Sequence, residues 1–258
     1  MRTAIVTGAY GAIGKAIAQR MAESGFRTCL VGRDERKLRK VSEDIKHKTG
    51  NTEIFFEIVD LSSGKEIKDF AGRWKDTLSV LINNAATAPA KRTESSEGIE
   101  MQFAVNVLSY FQMAICFKDF MKNEKDPRIV NVGSYWAGGL DAADLEFTRR
   151  HYNNDIAYRQ SKQADRMLTV AFAERFLSDG ISVNACHPGD VNSKLSNDLG
   201  FGGHESPDEG AATPAWLALS PEVKRISGHY FEHCKKTFCE FAVDRTAIEK
   251  LYNICASY

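Results

Sequence analysis

Neither charge is in excess along this sequence: 34 Lys and Arg residues stand against 34 Asp and Glu. A chain balanced in this way carries no sequence-wide electrostatic footprint for nucleic acid or for an anionic membrane surface. It also lacks any run approaching the roughly 20 apolar residues that span a bilayer. No charged stretch with an apolar signal core precedes the first strand. The expectation is a soluble, cytoplasmic protein with no membrane anchor. The six cysteines (Cys29, Cys116, Cys186, Cys234, Cys239 and Cys255) form no tight framework, and several sit inside apolar runs. This argues against an extracellular fold held by disulfides and for reduced thiols. Internal repeats, low-complexity tracts and an interdomain linker are missing as well.

What is present is an alternation. Apolar β-type runs ("TAIVT", "RTCLVG", "EIFFEIVD", "LSVLINNA", "RIVNVGS", "ISVNACHPG") are separated by amphipathic helical stretches, with long helices expected over 98–122 and 157–178. Short apolar strands separated by helices point to a parallel sheet buried on both faces. The reading is α/β: a single domain over residues 1–258, a doubly wound Rossmann fold whose mainly parallel sheet of about seven strands lies between helical layers. Two stretches interrupt the pattern, 138–156 and 192–207, and read as lids, binding loops or solvated surface. The pocket would draw on 135–152, 192–206 and the C-terminus, and aromatic residues there, among them Trp136, Phe147, Tyr152 and Phe201, suggest a partly apolar ligand.

"TGAYGAIG", Thr7 to Gly14, follows the first strand and opens a helix. That is the setting of a phosphate-binding turn, in which a helix N-terminus offers unpaired amides to a pyrophosphate. Gly8, Gly11 and Gly14 let the backbone turn and approach a ligand. Ala12 stands where close approach is expected, and is tolerated if its φ is negative, as in a first helical turn. The second strand ends at Gly32 and Arg33 with no carboxylate at its tip. The Arg33 guanidinium suits a 2′-phosphate, favouring NADP(H) over NAD(H). Asp34 then reads as the cap of the following helix.

In "YRQSK", Tyr158 and Lys162 are four apart and share a helix face. An ammonium beside a phenol lowers its pKa and fits it for acid–base work on a hydroxyl or carbonyl. Ser134 ends a strand at the carboxyl edge, where its hydroxyl can orient a substrate oxygen. Asn106 interrupts an apolar helix face and must find partners, either a water linking Lys162 to solvent or other protein groups.

Together these motifs resemble the short-chain dehydrogenase/reductase family over nearly the whole chain. In order they are "TGAYGAIG", "VDL" at Val59 to Leu61, "NNAA" at Asn83 to Ala86, Asn106, Ser134, "YRQSK", and "HPGDVNS" at His187 to Ser193. "VGRDERKL", the long gap from Ser134 to Tyr158 and "SPDEGAATPAWLALSPEVKRISGHYF" are similar to the retinol-dehydrogenase-like and WW-domain-oxidoreductase-like branch. The resemblance implies an NADP(H)-dependent enzyme that moves a hydride between nicotinamide and a small carbonyl or alcohol substrate. Tyr158 would be the acid or base, Lys162 would hold the nicotinamide ribose, Ser134 would position the reacting oxygen and Asn106 would anchor a water relay. The cofactor-binding set would be Gly8, Tyr10, Gly11, Ala12, Ile13, Gly14, Arg33, Asp60, Leu61, Asn84, Ala85, Tyr158, Lys162, Pro188, Gly189, Val191 and Ser193. Family members also imply a homodimer or homotetramer built through the two long helices. The chain departs from the family pattern at Ala12, Tyr10, Ala86 and Ser193, all on the cofactor side.

Two other functions fit the motifs less well: an NADP-binding regulatory or scaffold protein with little turnover, and an epimerase or dehydratase using the same Tyr and Lys. His229, His233, Cys234 and Cys239 invite a metal reading, but "GHYFEH" reads as a strand and no metal is expected.

Overall fold

The buried strands meet in one sheet in the order β3-β2-β1-β4-β5-β6-β7-β8. The computed structural model describes residues 1–258. In chain order the strands are β1 (Thr3–Thr7), β2 (Arg27–Gly32), β3 (Ile54–Ile58), β4 (Val80–Asn83), β5 (Arg128–Val132), β6 (Ser182–Cys186), β7 (Tyr230–Glu232) and β8 (Lys235–Thr237). All pairings are parallel except β7 with β8. Chain order reverses between β1 and β4, the switch point at which doubly wound sheets bind ligands. The eighth strand is an addition to the expected sheet. "GHYFEH" supplies only Tyr230–Glu232; His233 and Cys234 then turn with φ of 47° and 58°, and the chain returns antiparallel. Two successive left-handed residues are what a tight hairpin needs.

The helices are α1 (Ala12–Glu23), α2 (Glu35–Thr49), α3 (Gly64–Arg73), α4 (Ser109–Met121), α5 (Asn154–Arg175), α6 (Lys194–Asp198), α7 (Pro207–Leu219) and α8 (Arg245–Ala256). Every residue of β1, β4, β5 and β6 is buried, because helices cover both faces. One core contains Phe70, Trp74, Phe111, Phe117 and Phe172; the other contains Ile17, Met21, Leu30, Leu38 and Phe231. No helix is long and apolar enough to cross a membrane.

Two expected helix boundaries shift. Gly98 lies in a left-handed turn with φ of 77°, so helix begins only at Met101, after the Glu100 carboxylate accepts from the Gln102 and Phe103 amides. A π-helical segment, Phe103–Leu108, then precedes α4. The helix expected from Ala157 starts at Asn154, because the Asn153 side chain caps it through the Ile156 amide at 3.0 Å.

The C-terminal helix α8 lies on the two long helices expected to meet a second copy. Tyr252 packs edge-on to Phe111 and Phe172, with ring centres 5.0 and 5.7 Å away. The Arg175 guanidinium sits 3.6 Å from the Tyr252 ring centre and pairs with Glu249 at 2.6 Å. Leu251, fully buried, drives α8 into this core. Leu251→Ala should therefore cost about 2–5 kcal/mol, read as a lower denaturant midpoint. A loss below about 1 kcal/mol would show α8 to be a loose appendage.

Candidate active site

The site is assembled at the carboxyl ends of β1, β4, β5 and β6. Its first part is the junction of β1 and β4. Thr7 ends β1, and its hydroxyl accepts from the Asn84 and Ala85 amides at 2.8 and 3.1 Å. The Asn84 side chain donates to the Thr7 carbonyl at 2.9 Å. Gly8 turns the chain with φ of 63°, and a Cβ there would lie 2.8 Å from the Ala85 backbone. A Cβ on Gly14 would lie 2.3 Å from the Gly8 carbonyl oxygen and 2.7 Å from the Asn84 amide nitrogen. Ala12 opens α1 with a negative φ, so its methyl group sits in ordinary helical backbone.

Helix α1 has no side-chain cap, unlike α2, α3, α5, α7 and α8, which Asp34, Ser63, Asn153, Ser206 and Asp244 cap. Its first-turn amides are left facing outward at the positive end of the helix dipole. The Tyr10 ring lies against Gly32, where an added Cβ would come within 2.5 Å of it. Arg33 is exposed and makes no ion pair, while Asp34 caps α2 through the Lys37 amide. Beyond β3, Asp60 holds Ser62 with one carboxylate oxygen and leaves the other free, and Leu61 is in the core.

The second part lies on β5 and α5. Tyr158, Lys162 and Ser134 are all buried. The lysine ammonium is 5.8 Å from the Tyr158 ring centre. It donates to the Val132 carbonyl at 3.1 Å and to the Asp165 carboxylate at 2.9 Å. Tyr110 donates to the same carbonyl at 3.2 Å. The expected fall in the Tyr158 pKa is not the net result. Burial raises it above the ordinary tyrosine value; Lys162 and the Ser134 hydroxyl pull it down, and Asp165 and Asp190 push it back up. For Lys162, burial opposes the charged form, but Asp165, Tyr110 and Tyr158 outweigh it and hold the pKa above the usual lysine value.

Asn106 sits in the π-helical segment, a distortion common at functional sites. Its side chain accepts from the Thr87 amide at 2.9 Å and donates to the Thr87 carbonyl and the Ser161 hydroxyl at 3.0 and 3.1 Å. None of its bonds goes to Lys162. Its side-chain amide is satisfied by protein groups.

The third part is the segment after β6. Pro188 and Gly189 are partly exposed, Val191 is buried, and Ser193 caps the short helix α6. The loop 199–206 folds back onto this segment, with the Glu205 amide donating to Asp190 and the Asn192 amide to Glu205. A cleft of about 340 Å³ opens here, lined by Tyr135, Trp136, Asp190, Phe201, Gly203 and His204. Trp136 and Phe201 meet edge-to-face at 5.2 Å. Burial lowers the pKa of His187, which lies against Tyr135, to about 4, so this imidazole is neutral. Phe147 and Tyr152, expected among the pocket aromatics, instead pack on each other at 5.4 Å away from the cleft. Asp144 pins their loop by accepting from the Thr148 and Arg150 amides at 2.8 and 2.9 Å. A separate hollow between α1 and α7 contains none of these residues.

A family model described as short chain dehydrogenase matches residues 2–200. The chain belongs to that family. Human retinol dehydrogenase 13 is 33% identical over 255 residues, covering 91% of this chain and 77% of that protein. Retinol dehydrogenase 12 of Mus musculus is 30% identical over 268 residues, covering 98% of this chain and 84% of that protein. A Streptomyces antibioticus protein described as a probable oxidoreductase is 32% identical over 252 residues, covering 90% and 84%. The chain thus sits in the retinol-dehydrogenase-like branch and is an oxidoreductase. Among solved structures, an uncharacterized protein from Mycobacterium paratuberculosis superposes with a TM-score of 0.84 at 22% identity, covering 100% of this chain and 92% of that one. Salutaridine reductase from Papaver somniferum gives 0.73 at 20% identity, covering 91% and 100%. These two show the fold.

Members of the short-chain dehydrogenase family use a nicotinamide cofactor, and the residues present fit one. The cradle at Gly8 and Gly14 has no room for a side chain, and the uncapped end of α1 faces it. Sequence reasoning overlooked three groups at the site. Thr7 ties β1 to β4, Tyr110 shares the Val132 carbonyl with Lys162, and Asp165 pairs with the lysine. Only Asp165 left a readable signal, its i,i+3 spacing from Lys162 on one helix. Gly14→Ala should drive a methyl into the Gly8 carbonyl and cost about 1–3 kcal/mol. Thermal unfolding should show the loss, together with weakened cofactor binding; an unchanged Tm would mean the turn is not as tight as its geometry.

Proposed function

We propose that the chain is an NADP(H)-dependent oxidoreductase, acting in the cytoplasm, that interconverts an alcohol and a carbonyl on a partly apolar substrate. The observation that carries this reading is the placement of Ser134, Tyr158 and Lys162 together at the carboxyl edge of the sheet, beside the aromatic cleft. The nicotinamide cofactor supplies the hydride chemistry. The Ser134 hydroxyl orients the substrate oxygen. Tyr158 gives a proton to that oxygen in reduction and takes it in oxidation, a role its burial beside a cation permits. Lys162 carries the positive charge that favours the phenolate and has donor capacity left for a ribose hydroxyl.

Cofactor choice rests on Arg33, an exposed guanidinium without an acidic partner at the end of β2. Asp34, the nearest carboxylate, is turned to its own helix. Tyr10 and Lys37 border the same place, with the lysine 5.4 Å from the Tyr10 ring centre. Six free cysteines support a reducing compartment. The cleft aromatics Tyr135, Trp136 and Phe201 support an apolar substrate body, and Asp190 and His204 give it a polar rim.

An NADPH-oxidation screen over aldehydes, ketones, retinoids and steroids tests the reading. Tyr158→Phe should lower turnover by about 10²- to 10⁴-fold while NADPH still binds; full activity in that variant would sink the mechanism. Arg33→Ala should weaken NADPH by about ten- to a hundredfold and leave NADH nearly unchanged in fluorescence titrations. Equal losses for both cofactors would refute the assignment of Arg33 to the 2′-phosphate.

A further inference from the structure

The site holds a carboxylate that none of the roles above employs. Asp165 lies one helical turn beyond Lys162 on α5, and its side chain is 0% exposed against 1% for the lysine. One carboxylate oxygen is 2.9 Å from the ammonium; the other is buried with no hydrogen-bond partner. The ammonium's remaining protein contact is the Val132 carbonyl, at the base of the site. A lysine expected to act as a bare positive charge is thus half of a neutral pair.

We propose that Asp165 is a positioning residue that governs Tyr158 through Lys162: it cancels the lysine's charge and draws the ammonium toward Val132. The inference rests on Tyr158 and Lys162 forming the acid–base pair. A buried ammonium without a counter-charge is strongly disfavoured, so the carboxylate secures the lysine in the interior. The same carboxylate works against the phenolate that the lysine favours. Tyr158 is therefore set by the pair, and holds its proton more firmly than beside a lone lysine.

The other groups facing the pair do not supply this compensation. Tyr158 and Arg166 come from α5 itself, and Arg166 donates to the Ser134 carbonyl and stacks 3.6 Å from the Tyr230 ring centre. Tyr110 from α4 and Cys186 from β6 are both pushed above their usual pKa values, first of all by burial, and so stay neutral. Cys255 from α8 is raised to about 12 by burial and by Asp165 itself. Asp190, after β6, acts on Tyr158 and lies beyond ion-pair distance of Lys162. Burial lifts the Asp165 carboxyl to about 6, while Lys162 and Arg166 pull the other way. Asp165 is the only carboxylate within ion-pair distance of the lysine.

The test needs no substrate. Tyrosinate absorbance is followed against pH for the unaltered chain and for Tyr158→Phe, and the difference isolates the Tyr158 phenol. The same pair of titrations is run in the Asp165→Asn background. In the unaltered chain the phenol should titrate above the ordinary tyrosine value of about 10. Removing the negative charge stabilises the phenolate, so Asp165→Asn should move the titration down by about one pH unit or more. Asp165→Glu, which keeps the charge, should return it toward the starting value. An unmoved titration in a folded Asp165→Asn chain would overturn the proposal, as would a shift in Asp165→Glu equal to that in Asp165→Asn. If the Asn variant does not fold, Asp165→Ser leaves room for a water beside the ammonium and carries the same expectation. The unaltered chain is decisive by itself too: a Tyr158 phenol titrating well below the ordinary value would mean the lysine is not neutralised. If Tyr158→Phe abolishes turnover while the Asp165 variants leave the phenol unmoved, this proposal fails and the enzymatic reading stands.

Discussion

The hydroxyl of Thr7 holds together the two strand ends on which the site is built. At the switch point between β1 and β4 the order of the sheet reverses. By accepting from two backbone amides of the "NNAA" segment, while Asn84 returns a bond to the Thr7 carbonyl, the strand tips are locked side by side. The glycine turn must then pass through the narrow space that remains. This is why Gly8 and Gly14 have backbone or amide atoms within 3 Å of where a side chain would begin. It is also why α1 starts without a capping side chain, leaving its amides to face a bound anion. The tolerance of Ala12 follows from its backbone, since that residue is already on the helix with a negative φ.

The acid–base half of the site is governed by burial instead. Tyr158, Lys162, Tyr110 and Asp165 are packed between β5, α4 and α5, where water does not reach the charges. In such a place a lysine needs compensation, and whatever compensates it also sets the electrostatics of the neighbouring phenol. A tyrosine–lysine spacing of four residues brings the two groups to one helix face; it does not fix the net sign of the shift. Burial is the largest influence on the phenol, and the carboxylate at the next helical turn opposes the lysine.

The loops around the cleft divide into two kinds. The 141–153 segment is tied down by Asp144, and Gln102 and Pro89 both hydrogen-bond the Tyr152 hydroxyl. The 199–206 segment is laid by backbone pairing onto the strand-end residues Asp190 and Asn192. The cleft wall is thus made by Tyr135, Trp136 and Phe201, while α8 packs on the long helices α4 and α5.

The sequence alone was enough for the three-layer architecture, because strands buried on both faces must be continuously apolar and helices on a sheet must be amphipathic. It also placed Gly8, Arg33, Ser134, Tyr158 and Lys162 at strand ends or on one helix face, since those positions depend on local spacing. The hairpin at His233 and Cys234, the late helix start after Gly98 and the withdrawal of Phe147 from the pocket were beyond it. Each depends on a backbone twist or side-chain bond that local propensity does not encode. Tertiary structure alone decided the partners of the buried polar groups. Asn106 turns to Thr87 and Ser161, and Lys162 to Val132 and Asp165, because a polar atom cut off from water takes whichever partner the packing brings within 3 Å or so.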